Sequence, residues 1–229
     1  MPYRKTPLIA GSLYHIYTRS IAEFHIFRSK EDYSRMIETL QYYSAVKTDC
    51  RFSFLKDMSS ETREMKINEI RQSDKLVHII SYCLMPTHVH LVLEQSKEDG
   101  ISKYMNLILK SYSKYFNCKY NRMGPLWQSR FKNVLVDSDN QLLHLTRYLH
   151  LNPVTSFIKE KPEEWNYSSY PEYLQSVHPS NRICDYKEYI SMKPKEYAKF
   201  VCDNIDYQRE LGRIKHLVLE PNPPPSNPH

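Results

Sequence analysis

The sequence predicts an α+β fold: a ferredoxin-like βαββαβ plait with an antiparallel sheet, an added helix after the plait, and a mostly helical C-terminal extension. Three observations carry that prediction. Stretches that alternate apolar and polar residues with period two occur at 12–20, 75–95 and 133–138, and stretches with helical periodicity fall between them. The middle β-rich stretch is interrupted at Met85-Pro86-Thr87, where proline presets the backbone angle of a tight connection. The resulting order of strand, helix, strand, strand, helix, strand is that of the plait, with one helix left over.

Taken in order, SLYHIYTRS sets Leu13, His15 and Tyr17 against Tyr14, Ile16 and Thr18, the pattern of a strand. A first helix follows, with Ser29 and Asp32 at its start and Tyr33, Met36, Ile37, Leu40 and Tyr43 on one stripe. Residues 47–76 offer only Phe52, Phe54 and Leu55, then Met65, Ile67 and Ile70 in a highly charged run, so they read as an insertion with one exposed helix. In the hairpin, MPTHVHLVLE projects His88 and His90 from one face and Val89, Leu91 and Leu93 from the other. From Gly100 the pattern Ile101, Met105, Ile108, Leu109, Tyr112, Tyr115 and Phe116 reads as an amphipathic helix with Lys103, Lys110 and Lys114 aligned on a solvent face.

A Gly-Pro turn in NRMGPLWQSRFK leads to a short strand at NVLVDS, and Ser138 with Gln141 three residues later reads as a capping box. The next helix is expected to stop near Leu151, because Pro153 disfavours helical geometry at Asn152. It carries His144, Tyr148 and Asn152 at four-residue intervals, one polar stripe beside Leu142, Leu145 and Leu149. These elements make a domain over 1–155. Residues 156–220 form an extension with helix-like stretches around 187–190 and 196–204, and the proline-rich end at 221–229 reads as a disordered or extended tail.

The chain has 229 residues, 41% of them hydrophobic and 25% charged, as in ordinary soluble domains. The sequence has no run long enough to span a bilayer, and its start lacks the apolar core of a secretory signal. A cytoplasmic, nucleoid-associated protein is therefore expected. The five cysteines are widely spaced and read as reduced thiols. Between residues 100 and 160 stand nine basic residues against three acidic ones, an excess equal to the +6 of the whole chain. Aromatic residues interleave with them, which favours nucleic acid over a membrane surface. The candidate DNA contacts are Lys103, Lys110, Lys114, Lys119, Arg122, Trp127, Arg130 and Lys132.

Two imidazoles on one strand face and an amide oxygen can hold Mg²⁺ or Mn²⁺ with positions open for a phosphate oxygen. The candidate ligands are His88, His90 and Asn152, and a tyrosine hydroxyl beside them, Tyr148, can attack phosphorus once activated. Two other readings use the same residues: a hairpin-binding protein without turnover, and a two-histidine phosphoesterase that uses water.

MPTHVHLVLE resembles the His-hydrophobic-His motif of the HUH single-tyrosine transposases, and GPLWQSRFK followed by RYLHLNPV resembles the branch of REP-associated tyrosine transposases. The resemblance runs from about Leu13 to Tyr173 and rests on three motifs in the same order. It implies that His88 and His90 bind a divalent metal and that Tyr148 forms a 5′-phosphotyrosine while freeing a 3′-hydroxyl. Asn152 falls where related enzymes place a third polar ligand. The implied substrate is single-stranded DNA bearing an imperfect hairpin. Whether Tyr148 serves its own chain or a partner in a homodimer is left open by the sequence.

Overall fold

The computed structural model describes residues 7–48, 50–128, 130–206 and 209. It contains strands β1 (Leu13–Arg19), β2 (Val77–Met85), β3 (His88–Gln95) and β4 (Lys132–Val136). The helices are α1 (Lys30–Tyr42), α2 (Ser60–Gln72), α3 (Gly100–Lys119), α4 (Asp139–Thr155), the single turn α5 (Tyr170–Tyr173) and α6 (Pro194–Cys202). The strands form one sheet in the order β2-β3-β1-β4, every neighbouring pair antiparallel. This is the predicted plait, with α4 added after β4. The proline-rich end at 221–229 lies outside the described residues. None of the helices described is long and apolar enough to cross a membrane, and the five cysteines are free thiols.

The period-two pattern gives the sheet two unlike faces. Tyr14 and Ile16 of β1 and Val89, Leu91 and Leu93 of β3 are buried on one of them, beneath α1 and α3. Each such side chain taken out of water contributes roughly 1.5–3 kcal/mol. The two helices are joined by polar bonds as well: Tyr104 of α3 donates to the Leu40 carbonyl at 3.1 Å, and Tyr112 donates to the Ile26 carbonyl at 2.6 Å. Asp32, fully buried at the start of α1, accepts from the Arg28 and Ser29 amides, from the Tyr115 and Tyr120 hydroxyls and from Lys119 at 2.7 Å. Burial alone would raise its pKa, but the donors outweigh that and hold the carboxylate below its usual range.

The other face is shared. β2 is covered by α4 and the chain after it, while β1 and β4 are more open, with Val134 48% exposed. α4 begins as the capping signal implies, the Gln141 amide donating to the Ser138 hydroxyl at 3.2 Å. The Gln141 side chain closes on the amide of Asp137 instead of that of Ser138. The expectation that α4 stops near Leu151 is corrected: it runs through Pro153 to Thr155. Proline forfeits one backbone bond, but Leu151 and Val154 on either side are fully buried, and the Ser156 amide bonds the Asn152 carbonyl at 3.0 Å. Packing thus outweighs the lost rung.

The extension fastens α4 to the sheet. Its Leu84–Tyr167 and Tyr82–Ser169 backbone bonds run along β2. The Ser169 hydroxyl lies 2.8 Å from the Ser81 hydroxyl and 2.7 Å from Nε2 of His150, whose Nδ1 lies 2.8 Å from the Tyr197 hydroxyl. His150 is completely buried on α4, and burial pushes its pKa down to about 3.

A histidine kept neutral in the folded state takes up a proton on unfolding below its ordinary pKa. His150 therefore makes stability fall by about 1.4 kcal/mol per pH unit between about pH 6.5 and pH 3. Urea midpoints measured across that range should decline with pH. His150→Phe should flatten the decline while lowering stability at neutral pH, because Ser169 and Tyr197 lose their shared partner; an unchanged slope would remove His150 from this role.

Candidate active site

The register of β1 on β3 assembles the site. Tyr17 stands opposite His90, Arg19 opposite His88 and His15 opposite Val92, so His15, Tyr17, Arg19, His88 and His90 share one face. The side chains meet there. His15 Nε2 lies 3.0 Å from His90 Nδ1, with the rings stacked at 5.2 Å. His88 and His90 have ring centroids 5.0 Å apart at 83°, and His88 Nδ1 is 3.0 Å from the Thr87 hydroxyl. From α4, Tyr148 presents its ring edge-on to His90 at 6.0 Å and to His15 at 6.4 Å. The strand pair and the later helix therefore bring the predicted His88, His90 and Tyr148 together.

Burial sets the charge state. It pushes His15 down to about 4 and, with the nearby Arg19 charge adding to it, His88 to about 4. His90 is driven well below its usual value by burial first and then by His88, His15 and Arg19. All three rings are neutral at physiological pH, the form in which imidazole binds metal. The tautomer in which His90 donates from Nδ1 to His15 and His88 from Nδ1 to Thr87 is the one that leaves both Nε2 atoms a free lone pair, the arrangement in which outer partners orient metal-binding histidines. Tyr148 is shifted the other way: burial raises its hydroxyl above the usual phenol range, and Arg19 opposes the rise.

Asn152 lies one turn beyond Tyr148 on α4 and so shares its side of the helix. It is 6% exposed, and its amide nitrogen has no hydrogen-bond partner among the protein groups described. A buried amide N–H left without an acceptor is uncommon. Among the described residues no three His, Cys, Asp or Glu side chains converge on one point.

The eight candidate DNA contacts divide. Lys103, Lys110, Lys114 and Lys119 lie on α3, across the sheet from the histidines, and Lys119 is engaged with Asp32. Arg122 is spent on its own turn, donating to the carbonyls of Gly124 and Pro125. Trp127 and Arg130 line a cavity of about 550 Å³ against α3, and Trp127 donates to the Leu109 carbonyl at 3.3 Å. Lys132 alone reaches the histidine face, its ammonium 5.8 Å from the Tyr17 ring. The loop before β4 joins the two sides: Leu126 and Gln128 bond the backbone of Ile21 and Arg19 at the end of β1. His15 and Arg19 were not among the candidate site residues. The alternation of β1 puts both on one side, but only the pairing with β3 reveals that the side is that of His88 and His90.

The family described as Transposase IS200 like matches residues 15–152, which contain every group in this site. A Haemophilus influenzae protein named for the REP-associated tyrosine transposases is 27% identical over 148 residues, covering 57% of this chain and 79% of that protein. A solved structure of a REP-associated tyrosine transposase bound to a REP hairpin superposes with a TM-score of 0.50 at 14% identity, covering 81% of this chain and 93% of the other. The superposition extends the shared fold past the family match into the C-terminal extension, and a match that spans more than half of the sequence and encloses the paired histidines and the tyrosine means that this chain belongs to the IS200-like transposase family.

Proposed function

We propose that the protein cuts single-stranded DNA beside a hairpin and transfers the strand through a covalent 5′-phosphotyrosine. The observation that carries this reading is the edge-on approach of Tyr148 to His90, next to His88. The hairpin comes from the solved relative, which is bound to a REP hairpin. The relation to a two-chain assembly stays where the sequence left it, and one chain already brings Tyr148 to its own histidines.

In this reading His88 and His90, through Nε2, and the Asn152 amide oxygen hold a divalent ion, Mg²⁺ or Mn²⁺. When bound, the ion polarises the scissile phosphate and offsets its developing charge. Tyr148 supplies the nucleophile: its oxygen gives its proton to water and forms a bond to phosphorus, the bond from phosphorus to the 3′ oxygen breaks, and that oxygen takes a proton from water to become the 3′-hydroxyl. Arg19 eases loss of that proton, since its charge favours the phenolate. The tyrosyl ester retains the energy of the broken phosphodiester, so a 3′-hydroxyl can displace the tyrosine and reseal the strand. His15 acts through His90, fixing its ring and tautomer.

Incubation of the protein with a labelled hairpin-bearing single strand and Mn²⁺, followed by a denaturing gel, should give a covalent protein-DNA adduct. Tyr148→Phe should abolish the adduct while retaining DNA binding; persistence of cleavage at an unchanged rate would favour water as the nucleophile and overturn the assignment. Replacing His88 and His90 together by Ala should lower cleavage at least about a hundredfold, the scale of losing a metal's charge stabilisation, and cleavage that a chelator does not touch would exclude the metal. His15→Ala should weaken Mn²⁺ binding about 10–100-fold, measured by calorimetry, and His15→Gln, which keeps an acceptor, should restore part of it. Equal affinity in all three proteins would leave His15 without a positioning role.

A further inference from the structure

On the helix-covered side of the sheet, away from the histidines, a cavity of about 650 Å³ opens between α1, α3 and the segment after α1. Its size falls within the roughly 300–1,000 Å³ of small-molecule sites. Five cations line it, Arg35, Arg51, Lys110, Lys114 and Lys119, and none of the described lining residues is acidic. Lys119 is already paired with Asp32. Among the described residues the other four have no carboxylate partner.

Arg35 is the unusual one. It is 5% exposed, yet its Nε makes no hydrogen bond. Its guanidinium lies 4.1 Å from the Phe52 ring and 5.3 Å from the Tyr115 ring. The nearest candidate counter-ion on its own helix, Glu38, is bound to Arg63 at 3.0 Å instead. Aromatic faces hold a cation in place, but they supply no acceptor for its N–H groups. A buried guanidinium nitrogen without an acceptor is costly, and an anion entering the cavity that Arg35 lines would supply the acceptor.

We infer that this cavity binds the phosphate of a nucleotide, Arg35 forming the floor of the phosphate site, Arg51, Lys110 and Lys114 its rim, and the Leu107 and Tyr115 side of the wall receiving the base. The planar fork of arginine suits phosphate oxygens, and the mixture of cations with apolar wall suits a nucleotide better than inorganic phosphate alone. The site needs neither the metal nor Tyr148, so it stands apart from the reaction proposed above. It also gives work to residues 47–76: Arg51 and Ser53 close the cavity over α1 and α3.

The nucleotide can be free or part of a strand, and one experiment separates these sources. The full chain is titrated with dTMP, with thymidine and with a short oligothymidylate while the Arg35 Nε–H resonance is followed by ¹⁵N NMR and affinity by calorimetry. Expected is a shift of that resonance with dTMP or the oligonucleotide and none with thymidine. Tighter binding of dTMP identifies a free nucleotide, and tighter binding of the oligonucleotide identifies a strand; both uphold the site. Arg51→Ala, at the exposed rim, should weaken binding about tenfold, the scale of one hydrogen bond to a charged group, and Arg35→Gln should do so more severely. An Arg35 resonance unmoved by either phosphate probe, or wild-type affinity in Arg51→Ala, overturns the proposal. In His88→Ala the shift of the Arg35 resonance with dTMP should persist, so loss of strand cleavage and loss of nucleotide binding are read independently.

Discussion

The pairing of β1 with β3, Tyr17 opposite His90, is the constraint on which the rest of the molecule depends. In a strand a one-residue slip turns every side chain to the other face. Here such a slip would send His15 and Arg19 into the apolar layer under α1 and α3, and would leave Tyr14 and Ile16 beside the imidazoles. The apolar layer therefore excludes any slip by an odd number of residues: Val89, Leu91 and Leu93 are buried with Tyr14 and Ile16 on one face, and the same alternation keeps His15 and His90 together on the other. Stability and site geometry are secured by the same set of contacts.

The site that results carries little charge of its own. Its three imidazoles are neutral and its tyrosine is protonated, which leaves Arg19 and Lys132 as the nearby cations. Four of the eight candidate DNA contacts, Lys103, Lys110, Lys114 and Lys119, lie instead on α3, across the sheet. Under the proposed function, attraction for a polyanion and chemistry on it would fall to different faces, with the Trp127 loop, bonded both to α3 and to the end of β1, as the connection between them.

Much of this was legible in the sequence because it depends on local periodicity. The alternation of MPTHVHLVLE set the faces of β3, the Met85-Pro86-Thr87 break marked the hairpin, and the four-residue spacing of Tyr148 and Asn152 put both on one side of α4. What remained hidden depends on contacts between distant segments. His15 looks like any half-buried strand residue until β1 is laid against β3. The alignment of lysines on α3 was readable, but the side of the sheet that α3 covers was not. The continuation of α4 through Pro153 escaped as well, since local propensity argues against it and the burial of Leu151 and Val154 decides it.

Pro153 has a further consequence for the turn of helix just before it. Having no N–H, it offers nothing to the carbonyl of Leu149, the residue next to Tyr148, so the helical ladder is missing a rung directly beneath the tyrosine. What holds that turn in place is the external bracket of His150, Ser169, Ser81 and Tyr197. The aim of the tyrosine is consequently set by parts of the chain that never approach the phosphate. In the proposed reaction, substitutions in the extension would shift Tyr148 while the strand that carries the histidines stays as it is, so that reactivity and metal affinity would vary separately.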